Sequence, residues 1–302
     1  MEIKKASFAG AWYPANAKRC KEKIEQFLTE KHGPAKGRFA GGVVPHAGWF
    51  FSGSIACRVI ASIASHVPFT PSSDHTVSLP LSREEVDAVF IFGMHMAPGS
   101  KPCVMVKGGW QTPFGALPVH QDLASEFAKN REIRARMDSS ESFPEENTIE
   151  VQLPFIKYFF PDAAIIPVGV PPCDVAEKMG NIAVETADKL GLNVVVLGST
   201  DMTHYGTNYG FVPAGSGIEA LGWMKNDNDP KAIDAICSMN CSEIIIQGLK
   251  NRNLCCAGAV AAAAAAARKM GAVKGVAFDY TTSYEKHPGA SFVGYSGILF
   301  SY

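Results

Sequence analysis

Short runs of unbroken apolar residues recur along the chain, separated by longer stretches with helical spacing. Gly41–Pro45, Asp87–Gly93, Ala163–Val170 and Asn193–Thr200 are rich in Val and Ile and do not alternate with polar residues. Runs of that kind predict strands buried on both faces of a sheet. Helices are predicted at Ala17–Glu30, Ser54–Ser65, Ile149–Phe160, Asp174–Leu190, Pro230–Cys237 and Ser242–Leu249. The alternation of the two patterns gives an α/β fold, a sheet flanked by helices. Cys103–His120 reads as two extended runs around a Gly/Pro-rich turn, which predicts an antiparallel hairpin. Val276–Ser283 and Phe292–Phe300 are also extended, with turn chemistry at His287-Pro288-Gly289 between them. The central sheet is therefore expected to be mixed, parallel in the middle with antiparallel additions. Pro68–Ser82 is the loop candidate, and Ala257–Met270, almost all alanine, predicts a smooth, buried central helix. With no linker of distinct composition and no internal repeat, one domain spanning residues 1–302 is expected.

Composition narrows the partners. The 28 basic and 29 acidic residues leave a net charge of -1, and no basic run stands out. That argues against a nucleic-acid partner, whose binding requires clustered Lys and Arg to displace counterions. The opening MEIKKASFAGAWYPANAKRC lacks the apolar core of a secretion signal. Leu254–Ala267, the longest low-polarity stretch, falls short of the ~20 residues a membrane span needs. A cytoplasmic protein with no membrane partner is expected. The 8 cysteines include no C-x-x-C pair and read as buried free thiols in a reducing compartment.

Ligands of open α/β sheets bind beyond the carboxyl ends of the strands. Three predicted strand exits there carry histidine: Pro45-His46-Ala47-Gly48, Met94-His95-Met96 and Asp201-Met202-Thr203-His204. Cys255-Cys256 precedes the alanine helix. Each residue alone has an ordinary explanation: a solvated loop histidine, an Asp201 that caps a turn, small buried thiols. As a set they suggest a metal site, and imidazole with thiolate suits Fe(II), Zn or Cu rather than Mg or Ca. Gly215-Ser216-Gly217 looks like part of a dinucleotide fingerprint but follows no strand, so it reads as loop glycine. The G-x-S-x-G elbow of the α/β-hydrolases is absent.

At these residues the chain resembles the Memo family, itself similar to class III extradiol dioxygenases of the LigB type. The resemblance rests on five motifs in order: Ala9–Pro14 (AGAWYP), Val44–Gly53 (VPHAGWFFSG), Thr112–Gly115 (TPFG), Ser199–Gly206 (STDMTHYG) and Cys255–Val260 (CCAGAV). It implies a LigB-type fold and one transition-metal ion, Fe(II) ahead of Zn or Cu, held by His46, His95 and Cys255. Asp201 and His204 would line the same cleft. Many bacterial and archaeal members are described as AmmeMemoRadiSam system protein B, so proteins of that system are implied partners. Two departures stand out. Asn147 takes the place of a family histidine, and an amide does not titrate. Met94-His95-Met96 lacks the second histidine that the family carries there. A cysteine also replaces the carboxylate of the related dioxygenases, which changes the redox behaviour of a bound metal.

The resulting expectation is a metal-binding, non-haem dioxygenase-like redox protein acting on a small substrate. His204 is assigned as acid/base and Asp201 as the group that orients it. Trp49, Tyr205 and Asn147 are assigned to the substrate, with Phe50 as a further wall residue. The alternative is a catalytically vestigial scaffold that uses the same cleft for a peptide or protein partner; a zinc hydrolase is a third reading. Cys255, and not Cys256, is expected to be the ligand, because successive residues entering a helix point ~100° apart.

Overall fold

The structure, a computed structural model, describes residues 1–31, 33–65 and 86–302, so the loop expected at Pro68–Ser82 lies outside the described residues. The first half of the chain forms β1 (Ile3–Lys4), α1 (Ala17–Thr29), β2 (Phe39–Val44), α2 (Ser54–Ala64), β3 (Ala88–Gly93), β4 (Cys103–Lys107), β5 (Gly109–Thr112), β6 (Gly115–Pro118), α3 (Gln121–Ala128) and β7 (Arg136–Ser139). The second half forms α4 (Asn147–Glu150), α5 (Leu153–Phe159), β8 (Ala164–Gly169), α6 (Val175–Leu190), β9 (Val194–Ser199), β10 (His204–Tyr205), α7 (Gly217–Trp223), α8 (Asp229–Cys237), α9 (Cys241–Ile246), α10 (Ala257–Lys269), β11 (Lys274–Thr282) and β12 (Phe292–Ser301).

The large sheet has the order β10-β12-β2-β9-β3-β8-β4-β7, with β11 also paired to β12. Its middle, β2-β9-β3-β8, is parallel, and β12 and β4 join it antiparallel on either side. This is the mixed α/β sheet that the apolar runs predict. β2 and β3 are buried at every residue because both faces are covered. On one face α2 meets the sheet at Gly42, where a side chain would run into the Ile298 carbonyl and Val59. On the other, α10 meets it at Gly198, where a Cβ would stand 2.9 Å from that of Ala263. The alanine helix is buried from Ala257 to Ala267 and packs against α6 and α9 as well as the sheet. Methyl-sized side chains are what permit so close an approach of backbones.

Two local expectations are corrected. The extended runs of Cys103–His120 do not form one hairpin. Gly108, with φ at +95°, redirects the chain, so that β4 enters the large sheet while β5 and β6 make a short hairpin whose other edge pairs with β1. The helix expected over Ile149–Phe160 is broken into α4 and α5, since Pro154 opens the second helix and has no N–H for the carbonyl one turn back. Gly215, in the loop before α7, and Gly217, the first residue of α7, both adopt positive φ, and no strand directly precedes them. Among the described residues no helix is long and apolar enough to cross a membrane.

Candidate metal centre

The parallel strands β2, β3 and β9 deliver their carboxyl ends to one edge of the sheet, and that edge carries the chemistry. His46 follows β2 and is 1% exposed. Its backbone N–H donates to Asp201 Oδ1 at 2.8 Å, and its Nδ1 lies 3.1 Å from Ser199 Oγ. Ser199 donates its own hydroxyl proton to the Thr148 carbonyl at 2.6 Å. The serine oxygen must therefore accept from His46, which puts the proton on Nδ1 and aims Nε2 at the cluster. Nε2 is 3.3 Å from Cys255 Sγ. Burial opposes a charge on His46, but the Asp201 carboxylate and Cys255 outweigh it and raise its pKa.

His95 follows β3, and its ring stands edge-on to that of His46 with centroids 5.0 Å apart. Its Nδ1 is 3.7 Å from Glu146 Oε1, and its side chain is 46% exposed. Hydrogen bonding to Cys255 and to Glu146 raises its pKa to about 10. Cys255 is fixed by its own N–H, which donates to the Asp201 carbonyl, and its sulfur accepts the Asp201 N–H at 3.2 Å. Burial works against ionisation of Cys255, yet the neighbouring Cys256 thiol and His46 overcome it and hold its pKa well below the ordinary thiol value. Cys256 is pushed well above that value by burial and by the adjacent sulfur.

The expected angular separation of the two cysteines is not met. Both precede α10, with Cys256 at φ -127° and ψ 53°, so helical geometry does not govern them and their sulfurs lie 3.8 Å apart. The donor atoms of His46, His95, Cys255 and Cys256 all fall within 4.8 Å of one another. A tetrahedral ion bound at ordinary metal–nitrogen and metal–sulfur lengths needs donors roughly 3.3–3.8 Å apart. The cluster fits a transition-metal ion with small adjustments, and its imidazole and thiolate donors are the softer kind that such ions select.

A cleft of about 520 Å³ opens onto this cluster. Asp201, 4% exposed, does not cap a turn at its own strand exit; its second carboxylate oxygen faces His46 Nε2 at 3.8 Å and His204 Nε2 at 4.0 Å. Burial first, then Cys255, raises its pKa against the pull of the histidines. His204 lines the cleft and packs edge-on to Tyr209. Asn147 lines it too, and its amide donates to the His46 carbonyl at 3.3 Å. Trp49 and Tyr205 do not reach it. Trp49 stacks on Phe155 at 4.0 Å and donates its indole N–H to the Val151 carbonyl. Tyr205 stacks on Phe292 and bonds the backbone of Gly215 and Ala214. The aromatic wall consists of Phe50 with Trp12, Phe51, Tyr209 and Tyr295. Trp12 is brought there because the buried Glu150 accepts the N–H groups of Ser7 and Phe8 and the Tyr13 hydroxyl. Sequence reasoning names Phe50 of that wall and misses the other four, together with the supporting roles of Glu146 and Ser199.

Fold and site together define a mixed α/β protein with a His/His/Cys cluster at the carboxyl edge of its parallel strands. The chain belongs to the Memo-like protein family, whose sequence model matches residues 4–299. It is 30% identical to a MEMO1 family protein of Pyrococcus furiosus, with 98% of both chains covered. A MEMO1 family protein of Thermococcus kodakarensis is 32% identical, with 99% of each chain covered. An uncharacterized protein of Escherichia coli K12 aligns with 71% of the chain and 86% of its own at 11% identity and a TM-score of 0.42.

Proposed function

We propose that this protein binds one transition-metal ion, Fe(II) in the first instance with Zn or Cu as alternatives, and serves as a non-haem, dioxygenase-like redox protein for a small substrate. The observation that carries this reading is the convergence of His46, His95 and Cys255 from three separate parts of the chain within 4.8 Å. His46 Nε2, His95 and the Cys255 sulfur are the proposed ligands. When bound, the ion supplies a redox-active Lewis acid that faces the cleft. The chain supplies the rest. Asp201 holds the His46 backbone and places a carboxylate oxygen 4.0 Å from His204 Nε2, so His204 is the group positioned to move a proton at the cleft. Trp12, Phe50 and Tyr209 offer apolar faces to a flat or aromatic substrate.

Anaerobic purification with elemental analysis, followed by oxygen-uptake measurements with small phenols after loading with Fe(II), tests this reading. About one metal per chain and slow uptake are expected, because a thiolate stands where related dioxygenases use a carboxylate. An absence of metal would remove the reading. A second reading, a binding protein that uses the cleft for a peptide, is favoured by Asn147. That side chain does not titrate, and it is already engaged with the His46 carbonyl. Saturable peptide binding without any turnover in the loaded protein would select it.

A further inference from the structure

Three neighbouring strands, β3, β8 and β4, end or begin at one level of the sheet, where Gly169 of β8 is paired with Gly93 on one side and Cys103 on the other. A Cβ at Gly169 would stand 2.5 Å from Met94 Sδ, 2.7 Å from Cys103 Sγ and 3.2 Å from Met96 Sδ. Three sulfurs thus ring the hollow that this glycine leaves. Cys103 Sγ points its proton at Met94 Sδ across 3.3 Å. Met94 holds φ at 75°, in the left-handed region that is strained for a non-glycine residue. Simple apolar filling of the hollow requires neither this conformation nor three sulfur atoms.

We propose that Met94, Met96 and Cys103 form a second metal site, an all-sulfur seat for a soft monovalent ion of the Cu(I) type. Two thioethers and one thiolate are the donors that select Cu(I) over the harder divalent ions. A trigonal ion with metal–sulfur bonds of roughly 2.3 Å needs its sulfurs about 4 Å apart, so Cys103 and Met94, 3.3 Å apart, must separate by some tenths of an ångström as the ion enters. Charge selects the same ion. Cys103 is buried, so a monovalent cation with its thiolate makes a neutral unit, whereas a divalent ion would leave a net charge in the core. Burial pushes the free Cys103 thiol up to about 11, so the ion enters by displacing the proton now directed at Met94, and one proton is released for each ion bound. Met96 is half-buried beside the exposed His95 and Ala97, so this side of the site lies next to the surface. The site uses none of His46, His95 or Cys255 and stands whether or not the reading of that cluster does.

The test uses the full-length chain carrying both His46→Ala and Cys255→Ser, titrated anaerobically with Cu(I) against a chromophoric Cu(I) chelator. About one Cu(I) per chain should remain bound, with a sulfur-only coordination shell near ~2.3 Å by X-ray absorption. Adding Met96→Leu, a volume-conserving change at a half-buried position, should weaken binding by at least about tenfold. Cys103→Ser should abolish it. Failure of the double variant to bind Cu(I), nitrogen in the shell, or affinity unmoved by Met96→Leu in a chain with unchanged circular dichroism would each overturn the proposal.

Discussion

The two histidines of the cluster face the same cysteine but are held in opposite ways. His46 is 1% exposed, and Asp201, Ser199 and Asn147 engage its amide, ring and carbonyl in turn. His95 has a half-open side chain and, beyond the cluster itself, is held by the Glu146 carboxylate at 3.7 Å. On the β2–β9 side the ligand is oriented before any ion arrives. On the β3 side, orientation is lost as solvent exposure and rotamer freedom, and an incoming ion must supply it. The outer partners of a metal ligand fix its tautomer and direction, so their number should govern how much each histidine contributes to affinity.

The largest test of that contrast is metal loading in the single variants. His46→Ala should lower affinity by at least ~1,000-fold, and His95→Ala by roughly 10–100-fold less, measured by equilibrium dialysis with elemental analysis. Equal losses would erase the distinction. Next comes the turn behind Asp201 and His204, where the buried Asp229 accepts the N–H and hydroxyl of Thr203 and the hydroxyl of Tyr280. Burial, only partly offset by those bonds, pushes its carboxyl up from 3.8 to about 6. The native state therefore holds this proton more tightly than the unfolded chain. The resulting stability is complete below about pH 4 and is lost as pH rises through about 6. Relative to Asp229→Asn, the wild type should lose on the order of 2–3 kcal/mol over that window in urea unfolding. A pH-independent difference would mean that this support carries no buried charge.

A smaller effect is expected on the β3 side. Glu146→Gln should weaken metal binding about tenfold or less and bring the His95 titration, followed by NMR, down from about 10. Because the ion must displace that proton, affinity in the wild type should rise with pH through neutrality, and the variant should flatten the rise. An unchanged titration would show that Glu146 does not hold His95. The smallest effect is Phe50→Ala. Phe50 is 63% exposed, so stability should move by less than ~0.5 kcal/mol while aromatic ligands bind more weakly.

The same contrast separates what the sequence discloses from what it conceals. The central strands are legible because residues covered on both faces leave unbroken apolar runs, and the strand-exit rule then places His46, His95 and Asp201 on one edge. The supports are not legible. Ser199 and Glu146 lie far along the chain from His46 and His95, the histidines they support, and no spacing ties them together. Aromatic wall residues are concealed for a different reason. In the π-helical turn Trp49–Gly53, Trp49 turns into the core while Phe50 turns out, and both follow the same motif. Trp12 reaches the cleft only because the buried carboxylate of Glu150 ties down the segment around it.

The alanine helix has a consequence for how the centre ages and breathes. Cys255 and Cys256 stand directly before α10, whose alanines lie against the backbone of β9 and against Gly180 of α6, where any side chain would strike the Ala262 carbonyl. A helix seated by backbone contact has no rotamers with which to shift. The amides of Ala261–Ala267 are therefore expected among the slowest-exchanging hydrogens of the protein, which hydrogen exchange can check. The thiol end of the site inherits that rigidity, and local opening is left to the half-open histidine across from it.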